Sequence, residues 1–419
     1  MAPRNLRLLV VAYHFPPVNS SGAQRPVQML RYLPRFGVDV SVLTRGYERT
    51  GLASEVNVVR IYDTNSRGRH KALHYPLRVL QRTARTLGAA TSWHGVWAWG
   101  VKRNAAALLR HTRPDVILSS YPPIETLEIG LFLSRQAGAS LVADFRDGLL
   151  FEPIEQEMLR STRTRARYRD VEERIARDAA GILTVSDPIS DYFRTKYGHR
   201  AVMTLPNGFD PEERWIDPTP GELDPHKFNI VYTGRLEMSE KGRRASSFLA
   251  AVAQLVADSP LVGERLRIHL LGEFSGAELA SLSPLVERGI VRVHGFVERE
   301  RSLGFQRAAS LLLLVASSGK ASVVTGKLFE YLASGRPILG VTRGTAAERI
   351  ILETGAGYVV DPADSTAIRV TLERAVADPD FLGSLRRRDE EIEKYSRPRQ
   401  MEVLASFLRD VVDASTNAG

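Results

Sequence analysis

Short apolar runs alternate with longer segments of helical periodicity along the first half of the chain. Leu6 to Ala12 and Val38 to Leu43 read as strands, followed by Asp115 to Ser119, Ser140 to Phe145, Gly181 to Val185 and Val202 to Leu205. Such runs suit strands buried on both faces. Strands that alternate with helices predict parallel pairing with helices on both sides, which is a doubly wound α/β domain. Near Pro206 the pattern breaks. Asp210 to Lys227 holds Pro211, Pro218, Pro220 and Pro225 among acidic and polar residues, as a linker does. The alternation then restarts with Phe228 to Tyr232, Leu266 to Leu271, Ile290 to His294, Ser310 to Val315, Ile338 to Val341 and Gly357 to Val360. The expected organisation is one α/β domain over 1–208, a linker over 209–226 and a second α/β domain over 227–390. A closing helical segment over 391–419, amphipathic from Met401 to Val412, is free to cross back to the first domain.

Composition narrows this picture. The chain has 419 residues, 43% hydrophobic and 25% charged, which suits two globular domains. Cysteine is absent, which removes disulfides, thiolate metal sites and cysteine nucleophiles and fits a reducing, cytoplasmic setting. The densest apolar run, Leu311 to Ala316, falls far short of the roughly 18 residues a membrane span needs. The opening segment, Met1 to Val11, leads into Tyr13-His14-Phe15-Pro16-Pro17 and not into a small-residue cleavage site, so no signal peptide is expected.

The formal net charge is +9, and it is unevenly placed. Between Asp63 and Asp115 lie 51 positions with ten basic residues and no acidic one. The rest of the chain has 47 basic and 48 acidic residues. Within the basic stretch, Leu73, Leu77, Leu80, Ala84 and Leu87 fall on one helical stripe, opposite Arg78, Arg82 and Arg85. Trp93, Trp97 and Trp99 follow. A basic amphipathic helix with indoles can lie on an anionic membrane surface; equally, it can be a solvated face on a packed helix with tryptophans in the core. No zinc-finger, basic-zipper or aromatic RNA-binding signature is present, so nucleic acid is not an expected partner.

Four loops after predicted strands can carry chemistry. The first, His14 to Arg25, leads into a helix from about Pro26 and suits an anion, although it lacks the three glycines of a dinucleotide fingerprint. As a plain connection, it would be capped by Ser20 or Ser21. The second is Asp144-Phe145-Arg146-Asp147-Gly148. Its carboxylates can hold sugar hydroxyls or orient an acceptor, or Arg146 can simply bridge them. The third is Tyr232-Thr233-Gly234-Arg235-Leu236 with Lys241-Gly242-Arg243-Arg244. Close backbone approach at Gly234 beside several cations suits a diphosphate, the alternative being a basic surface loop. The fourth runs from Ser322 to Pro337, with Thr325-Gly326 opening a helix and Gly335 closing it. Glu330 sits mid-helix and needs a hydroxyl or cation partner. Lys327, one turn earlier, is a structural option; two ribose hydroxyls are the functional one.

Together these loops resemble a glycosyltransferase of the GT-B fold, in the large retaining family four (group 1 type). The segment Lys327-Leu328-Phe329-Glu330-Tyr331-Leu332-Ala333-Ser334-Gly335-Arg336-Pro337 is similar to that family's donor-site helix. Ser21-Gly22, Leu205-Pro206-Asn207-Gly208-Phe209-Asp210, Gly234-Arg235-Leu236 with Lys241-Gly242, and His294-Gly295-Phe296-Val297 agree with it. The resemblance implies two Rossmann-like domains facing a central cleft, acceptor-binding first and donor-binding second. It implies Arg235 and Lys241 on the donor diphosphate, with Arg243 able to replace Lys241, which lies one residue further from Gly234 than usual. Glu330 would bind the ribose, and the backbone near Phe296 and Val297 the base. Gly22 would approach the diphosphate.

The expected catalytic set is then Arg235, Lys241 and Asp144. Gly22, Gly234, Arg243, Phe296, Val297, Thr325, Gly326, Lys327 and Glu330 are expected on the donor. Ser21, Ser120, Arg146 and Asp147 are expected on the acceptor or sugar. Two positions depart from the family pattern: Ser322 replaces a glutamate that contacts the transferred sugar, and Ser120 is the nearest match to a histidine near it.

The implied reaction is transfer of a sugar from a nucleotide diphosphosugar to an acceptor hydroxyl with retention, with cations stabilising the leaving diphosphate and with no metal or cofactor required. A nucleotide-sugar epimerase or hydrolase of the same fold, and a non-catalytic nucleotide-sugar binding module, are the alternatives. The basic stretch Thr64 to Pro114 would meet an anionic membrane at its inner face, or a phosphate on the acceptor.

Overall fold

The computed structural model describes residues 4–17, 21–46, 53–55, 57–63, 94–152, 161–218, 222–234, 244–315, 322 and 324–417. The chain divides into two compact units, Met1–Pro206 with Gln400–Gly419, and Asn207–Arg399.

The first unit is built on one sheet. Its strands are β1 (Leu6–Ala12), β2 (Val38–Gly46), β3 (Ala53–Glu55), β4 (Val58–Tyr62), β5 (Val116–Tyr121), β6 (Ser140–Phe145), β7 (Gly181–Thr184) and β8 (Val202–Thr204). They lie in the order β3-β4-β2-β1-β5-β6-β7-β8. All neighbours pair in parallel except β3 with β4. The period of two along a strand sends successive side chains to opposite faces. Leu9 and Val11 enter one apolar core, while Leu8 and Val10 enter the other. Both cores are apolar, which is why β1 carries no polar residue beyond Arg7 at its start. The second core is completed by the closing helix, Arg397–Asn417, through Met401, Leu404, Ala405, Leu408 and Val411.

The second unit repeats the plan with β9 (Phe228–Thr233), β10 (Leu266–Leu271), β11 (Val291–Gly295), β12 (Leu311–Val315), β13 (Ile338–Val341) and β14 (Gly357–Val360). Their order is β11-β10-β9-β12-β13-β14, parallel throughout. Ile230 and Tyr232 face one core and Val231 the other. Each unit is thus a doubly wound α/β domain.

Three local features differ from expectation. The first helix runs Ser21–Tyr32, so Pro26 lies inside it instead of opening it. Pro26 has no N–H to offer the Gly22 carbonyl, and the first turn holds without that bond. Strands β3 and β4 were not expected: β3, Ala-Ser-Glu, has no apolar run, and Arg60 interrupts that of β4. In the stretch expected as a linker, Phe209 and Leu223 are buried in the second unit's core, and Pro211–Trp215 forms a short 3₁₀ helix.

Candidate functional site

In the second unit β9 lies between β10 and β12, so the connections on its two sides leave in opposite directions. A crevice opens at the carboxyl ends of the strands at such a switch point. Gly234 and Gly272 end β9 and β10 with φ of 99° and 148°. A Cβ on Gly272 would lie 2.4 Å from the Gly234 carbonyl oxygen, and one on Gly234 would lie 2.9 Å from Lys327 Nζ. Backbone excludes a side chain at Gly272, and the positive φ disfavours one at Gly234, so the strand ends present bare backbone to the crevice.

The helix Gly326–Ser334 points its N-terminus at this rim. Its apolar stripe, Leu328, Phe329, Tyr331 and Leu332, is buried. The Thr233 N–H donates to Tyr331 Oη at 3.1 Å, which fixes the helix against the end of β9. Thr325 is the N-cap, yet its Oγ1 makes no capping bond and is buried without a partner among the described residues. The first-turn N–H groups therefore keep the partial positive charge that attracts an anion. Lys327 Nζ donates to Tyr232 Oη at 3.0 Å and lies 4.4 Å from that ring's centroid, which holds the ammonium beside Gly234.

Glu330 is not paired with Lys327, the option left open by their spacing. Its Oε1 accepts from Arg299 Nη1 at 2.5 Å, and its Oε2 accepts from Gln306 Nε2 at 3.2 Å. Arg299 also donates to the buried Glu213 at 2.5 Å. Burial pushes the Glu213 carboxyl up, against the attraction of Arg299. Arg299, Gln306 and Glu213 carry no sequence signal, because their partners lie on other elements. Gly295 ends β11 and Phe296 and Val297 follow it, with Phe296 exposed at 74%. Behind them His269 Nε2 bonds Asn229 Oδ1 at 3.1 Å and His269 Nδ1 meets His294 Nε2 at 3.0 Å. The Asn229 amide donates to two backbone carbonyls, so its oxygen must accept from His269, and His294 must donate. Both rings are neutral, with burial pushing His269 down to about 4. Arg235, Lys241 and Arg243 lie outside the described residues.

In the first unit the Asp144 motif is assembled differently from expectation. Arg146 does not bridge the two carboxylates. Asp144 is fully buried and takes Arg25 in a forked pair, Nη2 to Oδ1 at 2.7 Å and Nε to Oδ2 at 3.0 Å. Ser120 Oγ also donates to Asp144, at 2.8 Å. The carboxylate proposed for catalysis therefore already has a cation and a hydroxyl. Arg146 instead donates to the carbonyls of Tyr121 and Pro122, at 3.2 and 3.0 Å. Its Nη1 lies 2.5 Å from where a Cβ on Gly22 would sit, so Gly22 and Arg146 meet at the start of the helix Ser21–Tyr32. Asp147 is half-buried beside them. Most of the basic stretch, residues 64–93 with Trp93, lies outside the described residues. At its described end Trp97 is fully buried, whereas Trp99 is 61% exposed with Arg103 5.3 Å over its ring.

Comparison with known proteins fits both halves. Residues 22–208 match the glycosyl transferase 4-like domain, and residues 227–378 match glycosyl transferases group 1. The chain is a GT-B glycosyltransferase of group 1. Sucrose-phosphate synthase from Thermosynechococcus elongatus superposes with a TM-score of 0.70 at 16% identity, covering 98% of this chain and 100% of that one. The α,α-trehalose 6-phosphate synthase from Burkholderia multivorans gives 0.64 at 16%, covering 99% and 98%. Anabaena HepE in complex with UDP-glucose gives 0.54 at 14%, covering 99% of each chain. At such identities these structures establish that the glycosyltransferase shares their fold. No curated protein gives a significant match. Among the described residues no helix is long and apolar enough to cross a membrane.

Proposed function

We propose that this glycosyltransferase moves a sugar from a nucleotide diphosphosugar to an acceptor hydroxyl with retention of configuration, the donor being held by the second unit. The observation that carries this reading is the rim made by Gly234, Gly272, Lys327 and the uncapped N-terminus of the helix Gly326–Ser334. Bare backbone, an ammonium and a helix terminus converge where a diphosphate can lie. Arg235, Lys241 and Arg243 follow Gly234 in sequence and would add positive charge as the C1–O bond breaks, stabilising the leaving diphosphate more than the bound donor. Fixed cations of this kind can serve in place of a divalent metal. Glu330, oriented by Arg299 and Gln306, offers a carboxylate to ribose hydroxyls, and the exposed Phe296 borders the place for the base. Anabaena HepE binds UDP-glucose on the same fold, which favours a nucleotide sugar as the donor.

In the first unit Ser21, Ser120, Arg146 and Asp147 border the acceptor side, and Gly22 serves the donor diphosphate. Asp144 acts there as the anchor of Arg25, a positioning role. The test is incubation with a nucleotide-sugar panel and candidate acceptors, followed by proton NMR of the product's anomeric signal. A retained configuration, unaffected by a chelator, is the expected result. An inverted product overturns the retaining assignment, and loss of activity on chelation overturns the metal-independent one. Sugar release or isomerisation with donor alone would favour the hydrolase or epimerase alternative.

A further inference from the structure

The side chains of Asn229, His269 and His294 form a hydrogen-bonded line across the neighbouring strands β9, β10 and β11. The line has one direction. The Asn229 amide is committed to the carbonyls of Asp224 and Lys227, at 2.8 and 3.0 Å, so its oxygen accepts from His269 Nε2. His269 Nδ1 is then the acceptor for His294 Nε2. An uncharged imidazole donates from one nitrogen and accepts at the other, as this line requires. The surroundings keep both rings uncharged near pH 7. Burial acts first on each, then His294, Arg292 and Arg267 at His269, and Arg292 and Arg301 at His294 against the opposing pull of Glu222. Phe305, in the helix Arg299–Ala308, meets the His294 ring edge-on at 4.8 Å.

An apolar pair would fill this place without burying polar groups, so packing alone does not account for two histidines. The end of the line does. β10 and β11 pair in step as far as Leu270 and Val293, but Leu271 pairs with Gly295. His294 is therefore an extra residue, a bulge in β11. A bulged residue leaves the ladder and needs another hold, which His269 supplies. Gly295 turns the chain there with a φ of 69°, and its carbonyl accepts from the Gly272 N–H at 2.7 Å. Phe296 and Val297 leave directly from this bend.

We propose that Asn229, His269 and His294 lock the bulge of β11 and so position the loop Phe296–Val297 on which a nucleobase rests. The nucleobase depends on the nucleotide-sugar reading above; the lock on the bulge does not. A loop that serves as one wall for a planar base has to be held to within about 0.5 Å. A bulge without an anchor can shift its register against the neighbouring strand. His269 acts through His294 and touches no ligand, so it is a positioning residue.

The experiment is calorimetric titration of the full-length protein with UDP, GDP and dTDP, repeated with the tightest of them for His269→Leu, His269→Gln and Phe296→Ala. His269→Leu fills the space but removes both bonds, and should weaken binding by about tenfold. His269→Gln keeps a donor and an acceptor, and should stay within about threefold of wild type. Equal weakening in both variants overturns the proposal, because shape and not bonding would then matter. Unchanged binding in His269→Leu overturns it as well. His269→Leu combined with Phe296→Ala should bind no more weakly than the weaker single variant, since both act through one loop. Additive losses overturn the link to the loop. Nitrogen NMR of labelled histidine reads the line in the wild-type protein without ligand, whatever the leucine variant does to folding. A slowly exchanging Nε2 proton is expected on both rings from about pH 8 to about pH 5. Fast exchange at either ring overturns the lock. Wild-type protein that binds none of the three nucleotides, with both ring protons protected, keeps the lock and overturns the nucleotide reading instead.

Discussion

The two units share one plan, yet their strand ends are furnished by opposite means. The rim of the second unit is made by omission: Gly234 and Gly272 carry no side chains, Thr325 leaves its cap unmade, and one lysine reaches over. The rim of the first unit is made by pairing. Arg25 with Asp144, Arg146 with two carbonyls and Tyr13 with Asp63 draw together groups from distant parts of the chain. Bare backbone accepts any diphosphate, and this suits a substrate part common to all nucleotide sugars. Paired side chains shape a particular surface, which suits an acceptor that differs from enzyme to enzyme.

Substitutions can break this contrast. Asp144→Asn leaves the buried Arg25 short of its counter-charge and should cost about 3–5 kcal/mol, seen as early melting of the first unit. Glu330→Gln in the second unit should cost far less stability, because the Glu330 side chain is 20% exposed and its other contacts can persist. Equal losses in the two variants would erase the distinction. Arg235→Ala should lower turnover by about 10²-fold or more while leaving melting unchanged, as expected for a group that acts on transition-state charge. An unchanged rate would remove Arg235 from the mechanism.

The histidine pair behind the second unit's rim gives a pH-dependent test. His269 is held at about 4, below the ordinary 6.5 that it regains on unfolding. The unfolded chain therefore takes up a proton first, and stability contributed by the neutral ring falls as pH drops from about 6.5 to about 4. The slope should be roughly 1.4 kcal/mol per pH unit for a single histidine. His269→Gln should flatten that part of the melting profile, and an unaltered slope would contradict the neutral pair. Gly234→Ala has the smallest expected effect. A Cβ at φ 99° and 2.9 Å from Lys327 Nζ should weaken nucleotide binding by about tenfold, measured by calorimetry. The exposed Trp99 with Arg103 invites one further check in the first unit. Binding to anionic but not neutral vesicles is expected if this surface meets a membrane, and equal binding to both would exclude an electrostatic contact.

The legible features were those whose physics is local. β1, β6, β10, β13 and β14 coincide with their apolar runs, since a strand buried on both faces leaves a continuous hydrophobic segment. The helix Gly326–Ser334 was bounded by Thr325 and Gly335, whose preferences act within one turn. Pro26 misled because proline marks the first turn of a helix more often than its middle. The partners of Asp144 and Glu330 were illegible for a different reason. Arg25 is 119 residues from Asp144 and Arg299 is 31 from Glu330, and only the strand order brings them together. The carboxylates could be recognised as needing cations, but the cations could not be chosen from sequence spacing.

The central claim is that the second unit's rim holds a nucleotide diphosphosugar. Its most direct test is calorimetric titration of the full-length enzyme with UDP-, GDP- and dTDP-sugars, repeated for the best ligand with Lys327→Ala and Glu330→Gln. The account predicts saturable binding of one nucleotide class, weakened by about tenfold or more in each variant. Binding of none of the three, or binding indifferent to both substitutions, would contradict it.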